Sequence, residues 1–313
     1  MFARRYAVTV AASLLAALVA IAVPAGAFTF DNQVAPRKQE SPPIEAAPSG
    51  PVLGPYEHLG TWVDMFNPEV WDHPERAVAR MAERGVSTLY LETSNWDKQN
   101  AIYRPTSMKR FIVAAHGAGI EVVAWYVPSF ANLKKDFNRS MKAIRFQTDD
   151  GQRFDSFALD IEATNVADIS RRNARMERLS RMIRDQVGPD YLMGGITPDV
   201  QSVYWPSFPY ATVARYFDVL MPMGYFTYRV SGMRAAERYT KANVREVRER
   251  AGDPALPVHP IGGIAGDATV REVRGYVNGV QETRAIGGSF YDFPITDGRT
   301  WNELAPLADT GPL

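Results

Sequence analysis

Phe154-Asp155-Ser156-Phe157-Ala158-Leu159-Asp160-Ile161-Glu162 reads as a short buried β-strand that ends in two carboxylates one residue apart. Side chains alternate across a strand. Ala158, Asp160 and Glu162 therefore share one face, and Phe157, Leu159 and Ile161 share the other. Burying two acids on one face costs free energy. A fold keeps such a pair when it binds a cation, anchors a loop or moves a proton.

Outward from this strand, short apolar runs alternate with amphipathic helical stretches. Strands are expected over 59–65, 88–92, 121–126, 157–161, 191–195, 219–223, 258–262 and 286–291. Helices are expected over 74–84, 107–118, 133–146, 166–187, 210–216, 235–251 and 270–279. Eight strands alternating with helices over about 250 residues match a (β/α)₈ barrel of the α/β class, a TIM barrel. The alternative is a doubly wound open sheet. That fold usually carries a Gly-rich phosphate loop after its first strand, whereas Asp64-Met65-Phe66-Asn67-Pro68 stands here. The joints agree with the barrel. Gly85 and Gly119 sit where helix C-caps lead into strands, Gly188-Pro189 stops the longest helix, and Pro74 opens one after Asp72-His73.

The chain of 313 residues has 46% hydrophobic and 22% charged content, with 35 basic and 35 acidic residues. With no basic excess, no nucleic-acid partner is expected. There is no cysteine, which removes disulfides, thiolate nucleophiles and Cys-based zinc sites. The four histidines, His58, His73, His116 and His259, lack metal-ligand spacing and read as surface or capping residues. Arg4-Arg5 precede an apolar run from Tyr6 to Val23, and Ala25-Gly26-Ala27 offers a signal-peptidase site. Residues 1–27 thus read as a secretory signal, or as an uncleaved N-terminal membrane anchor. Residues 28–54, rich in Pro, Ala and Ser, read as a flexible spacer, and 55–313 as the barrel. The expected location is secreted, or anchored to the outer face of the cytoplasmic membrane, as a monomer.

In such a barrel, function gathers at the C-terminal ends of the strands. Those ends offer Asp64, Glu92 with Trp96, Trp125-Tyr126, Asp160 with Glu162, Asp199, Tyr225, and Tyr291-Asp292. Carboxylates hydrogen-bond sugar hydroxyls, and aromatic faces stack on sugar rings. Cleaving a glycosidic bond needs a carboxylic acid to protonate the leaving oxygen and a second group at the oxocarbenium-like centre. The rim fits a carbohydrate-active site whose partner is a polysaccharide or cell-wall glycan. It carries no cofactor fingerprint and no strand-end histidine for a metal, so a metal-dependent deacetylase fits less well.

The fourth-strand motif resembles the Asp-x-x-Asp-x-Asp-x-Glu signature of family 18 glycoside hydrolases, the chitinase-like enzymes, with Ala158 in place of the second Asp. Met223-Gly224-Tyr225-Phe226 is similar to that family's Met-x-Tyr-Asp, again without the Asp. The resemblance implies Glu162 as general acid, Asp160 as its electrostatic partner and Tyr225 as a substrate contact. The chain also resembles family 25 lysozymes, through Asp64, Asp160, Glu162 and Asp292 on the first, fourth and last strands. The span 59–293 looks like secreted actinobacterial proteins grouped only as glycoside hydrolases.

On this reading Glu162 is the proton donor, its pKa raised by the apolar strand and by Asp160, which stays ionised. Asp64, Glu92 or Asp292 supplies the base or nucleophile. Glu92, Trp96, Tyr126, Tyr225 and Asp292 contact substrate. Structural alternatives exist for each: Asp64 as a cap of the loop 66–68, Glu92 facing either way by one residue of register, Tyr225 as rim packing, Asp292 as the start of a turn. Trp62 and Trp125 read as core, Trp96 as a sugar platform, and Trp205 as lining a groove. Arg171 through Arg178 reads as the solvated face of a helix. The two missing acids leave a second reading open, a catalytically inactive glycan-binding barrel.

Overall fold

The computed structural model describes residues 53–310, Val203 excepted. The signal or anchor segment and nearly all of the spacer lie outside them. Eight parallel strands follow one another around a closed barrel: β1 (His58–Val63), β2 (Thr88–Asn95), β3 (Glu121–Val127), β4 (Ser156–Asp160), β5 (Met193–Pro198), β6 (Val219–Met223), β7 (Ile261–Ile264) and β8 (Gly287–Tyr291). β1 pairs with both β2 and β8, so the sheet has no edge and the open-sheet alternative is excluded. The helices are α1 (Pro68–Asp72), α2 (Pro74–Ala82), α3 (Pro105–Gly117), α4 (Leu133–Ile144), α5 (Ile169–Val187), α6 (Tyr210–Val213), α7 (Met233–Ala251), α8 (Val270–Glu282) and α9 (Gly298–Leu304). Among the described residues no helix is long and apolar enough to cross a membrane.

Several boundaries differ from expectation, two of them for reasons that proline and glycine supply. The seventh strand was expected from 258 but begins at Ile261. Pro257 and Pro260 have no N–H to donate, so only an isolated bridge joins Val258 to Leu220 before the strand proper. The helix expected to stop at Gly279 runs on to Glu282. Gly275 and Gly279 are there for close packing: a Cβ on Gly275 would lie 2.1 Å from the Met233 carbonyl oxygen, and one on Gly279 would lie 2.8 Å from Thr240 Cβ. The two small residues let α8 press against α7. Its start is fixed by a capping box, with Thr269 and Glu272 satisfying each other's backbone N–H groups.

Alternation sorts the strands into two cores. Phe157, Leu159 and Ile161 join the layer between barrel and helices, with Leu89, Leu91, Val122 and Ala124. Ala158 belongs to the barrel interior, with Trp62, Tyr90, Val123, Trp125, Ile196 and Met221. Trp62 stacks on Tyr90 at 4.3 Å, and its Nε1 donates to Ser289 Oγ at 2.8 Å. In register, Ala158 lies between Trp125 and Gly194.

The floor of the barrel is closed by Tyr56, from a single 3₁₀ turn before β1 (Gly54–Tyr56). Its hydroxyl lies 2.8 Å from Ser156 Oγ and donates to the Phe157 carbonyl at 3.0 Å. Gly194 has no side chain because the Tyr56 ring occupies that space, 2.6 Å from where a Cβ would stand. His259, expected as a surface or capping residue, is fully buried here, with Nδ1 2.8 Å from the Tyr56 carbonyl oxygen. Burial pushes its pKa down to about 4, so it is neutral in the floor at ordinary pH.

Candidate active site

The mouth of the barrel is built by the inward positions at the strand ends. On β4 the inward series Ser156, Ala158, Asp160 rises to Glu162, just past the strand end. Ile161, between the two acids, packs on the helical layer, and its N–H continues the sheet by donating to the Ile196 carbonyl at 2.8 Å. Asp160 is almost wholly buried, at 5% exposed, and its Oδ1 has no hydrogen-bond partner among the described residues. Glu162 is half-buried, above Asp160.

Burial pushes the Glu162 carboxyl up to about 7. The Asp160 carboxyl is pushed well above the usual carboxylate range, first by burial, then by the nearby charges of Glu162 and Glu92. Burial and like charge thus work against the ionised Asp160 that was expected. Two like charges in this pocket oppose each other's ionisation, so the two carboxyls titrate as a pair.

Asp64 closes the other side of the mouth. Its Oδ2 accepts from the Tyr291 hydroxyl at 2.6 Å and its Oδ1 from the Phe66 N–H at 2.8 Å. Burial raises the Asp64 carboxyl, and these bonds pull against that rise. The expected loop-capping contact is present in the bond from the Phe66 N–H. Glu92 faces inward and is enclosed, at 1% exposed. It accepts from the Met65 N–H at 3.0 Å and from Asn95 Nδ2 at 3.3 Å, tying the β1 and β2 loops together. Burial, then Asp64, holds its carboxyl well above its ordinary value. Burial, then Asp64, does the same for the buried Asp292. The five acids thus form one electrostatic chain, from Asp292 through Asp64 and Glu92 to Asp160 and Glu162. Among the described residues no group of three His, Asp or Glu is placed to hold a metal ion.

Aromatic side chains complete the rim. Tyr225 follows β6 with a backbone φ of 33° and packs against the interior core and against Tyr291, ring centroids 6.3 Å apart. Burial, then Glu162 and Asp160, pushes its hydroxyl well up, which puts Tyr225 beside the acid pair. Tyr204 packs against the helical layer, and burial, then the same two acids, raises its hydroxyl. Trp125 faces inward, its Nε1 buried without a partner. Trp96 is half-buried on the β2 loop against the interior core.

Tyr126 is a correction. It points outward into the helical layer, fully buried, and donates from its hydroxyl to Asp136 Oδ1 on α4 at 2.8 Å. It cannot meet a ligand in the mouth. Trp205 is another. It is 1% exposed, donates to Asn173 Oδ1 at 2.7 Å and lies under the Arg172 guanidinium, 4.6 Å from the ring centre.

The arginines of α5 are not simply a solvated face. Arg172 is buried and donates to the carbonyls of Val166, Ala167 and Tyr204. Arg175 donates to the carbonyls of Phe130 and Ala131. On α4, Arg139 donates to the carbonyls of Asn95, Lys98 and Gln99, and Lys135 Nζ to that of Trp96 at 2.6 Å. These cations, which form no ion pair among the described residues, thus bind the loops of the mouth through backbone oxygens.

No protein-family model matches the chain, and no curated protein sequence matches it. Solved structures do resemble it. The endo-1,4-beta-mannanase of Rhizomucor miehei superposes with a TM-score of 0.63 at 10% identity, over 81% of this chain and 94% of that one. The spore cortex-lytic enzyme SleL of Bacillus cereus gives 0.58 at 9% identity, over 79% and 73%. A chitinase of Chromobacterium violaceum gives 0.56 at 12% identity, over 79% and 98%. At these identities the likeness is one of fold: the chain is built as the same (β/α)₈ barrel as these three enzymes.

Proposed function

We propose that the chain is a glycoside hydrolase that cleaves a polysaccharide or cell-wall glycan outside the cytoplasm, with Glu162 as general acid. The observation that carries this reading is the stacked pair on β4. A half-buried carboxyl that burial pushes up to about 7 stands over an enclosed one in a mouth walled by tyrosine and tryptophan. Glu162 gives its proton to the glycosidic oxygen as the bond to the anomeric carbon breaks. Once Glu162 is ionised, its charge beside Asp160 lowers the energy of the positive charge that develops on the sugar. Asp64, held by Tyr291 and the Phe66 N–H, is the best-oriented second carboxylate. As base it takes the proton of the attacking water, and Glu162 is reprotonated from solvent; as nucleophile it forms a glycosyl ester that water hydrolyses, with Glu162 taking that water's proton. Glu92 holds the loops rather than the sugar. Trp96, Tyr225 and Tyr204 contact the glycan. The barrel shared with a mannanase, a chitinase and a cortex-lytic enzyme supports the substrate class.

The inactive glycan-binding reading draws on Ala158 and Phe226. Both are fully buried in apolar cores and occupy the positions of two family 18 acids. Incubating the wild type with β-1,4-mannan, chitin and peptidoglycan, and measuring new reducing ends, separates the two. Release from one polymer supports hydrolysis. Binding without release selects the inactive barrel, and neither outcome on any glycan removes both.

A further inference from the structure

Three large hydrophobic side chains are exposed among the described residues: Phe66 (37%), Val113 (43%) and Tyr228 (51%). Val113 lies on α3. The two aromatics both stand on the rim, in the loops after β1 and β6. They are the ends of one line of contacts. Tyr228 meets Tyr225 edge to face at 6.3 Å, and Tyr225 meets Tyr291 at 6.3 Å. Tyr291 donates to Asp64, and Asp64 accepts from the Phe66 N–H. The inner members are accounted for by packing and by the acids. The outer two are not, because each leaves more than a third of its surface open to water. Phe66 is nonetheless held in place, with Lys98 Nζ 5.2 Å from its ring centre. Fixed rings left open to water at both ends of an acid-lined mouth match the apolar faces of successive sugars.

We propose that Tyr228, Tyr225, Tyr291 and Phe66 form a track along which a linear polysaccharide lies, so that cleavage falls within the chain and not at its end. Phe66 and Tyr228 stack the outermost sugars. This inference rests on the glycosidase reading and adds the mode of attack and two specificity-determining residues.

The test measures kcat/KM for wild type, Phe66→Ala, Tyr228→Ala and Tyr228→Phe on β-1,4-manno-oligosaccharides and N-acetylglucosamine oligomers of about two to six units. Each alanine variant is expected to lose about three- to tenfold on the longest oligomer cleaved and nothing on the shortest. Tyr228→Phe, which keeps the ring, is expected to match the wild type. Early products are expected to be of mixed length. Equal losses at all lengths, no loss at any length, or release of one short product from the chain end would overturn the track while leaving glycosidase activity intact. A wild type that neither binds nor cleaves any glycan would remove the parent reading as well.

Discussion

The Tyr291 hydroxyl donates a 2.6 Å hydrogen bond to Asp64 Oδ2 and so joins the last strand to the first at the mouth of the barrel. The bond favours the ionised form of a carboxyl that burial pushes the other way. Tyr291→Phe is expected to raise the Asp64 pKa. The acidic limb of the activity profile then moves to higher pH, because Asp64 must be ionised to act. The lost bond is expected to cost about 1.5 kcal/mol of folding stability. A pH–rate profile and a urea titration on this variant check the two effects separately.

Glu162 ties stability to pH in the opposite sense from a salt-bridged acid. Its pKa rises from 4.5 to about 7 on folding. The folded chain therefore holds this proton more tightly than the unfolded chain does. The stability this confers is present below about pH 4.5 and is lost as pH rises through about 7. Glu162→Gln, which cannot ionise, is expected to be more stable than wild type at pH 8 and to lose that advantage near pH 4. Unfolding midpoints at several pH values test this. An advantage independent of pH would mean that the Glu162 carboxyl is not the origin.

Arg139 is 5% exposed and holds three backbone carbonyls of the loop that carries Trp96. Arg139→Met keeps most of the apolar stem and removes the donors. Leaving several buried carbonyls unpaired is expected to cost about 2–4 kcal/mol. Proteolysis should then start within residues 95–100. Cleavage at the same rate and place as in wild type would argue against the clamp.

Tyr126→Phe distinguishes the two faces of β3. The residue bonds Asp136 behind the barrel wall, so this variant is expected to lose about 1 kcal/mol of stability and to keep glycan binding unchanged. Weakened binding in a fully folded variant would return Tyr126 to the mouth.

The barrel was legible because the period of the strands and helices, and the glycines after helices, are local signals. Parity at β4 was legible too, since Asp160 and Glu162 mark their own face. β3 carries no such mark. Its strand is apolar on both faces, as buried parallel strands are, and nothing local tells Trp125 from Tyr126. Arg172 did leave a trace: it falls on the stripe of Met176, Leu179 and Ile183, all buried on α5. An arginine on an apolar stripe signals a buried donor. Tyr204 had none, because it sits in an irregular loop brought to the acids only by the closure of the barrel. The pKa of Asp160 depended on how deeply the strand end is enclosed, which no spacing states.

The most direct test is the pH dependence of kcat/KM for wild type and Glu162→Gln on the glycan that the wild type cleaves. A wild-type profile that falls as pH rises above about 7, with a variant slower by about 10²–10⁴ and lacking that limb, is the expected result. A variant within about threefold of wild type, or one that keeps the limb, would contradict Glu162 as the proton donor.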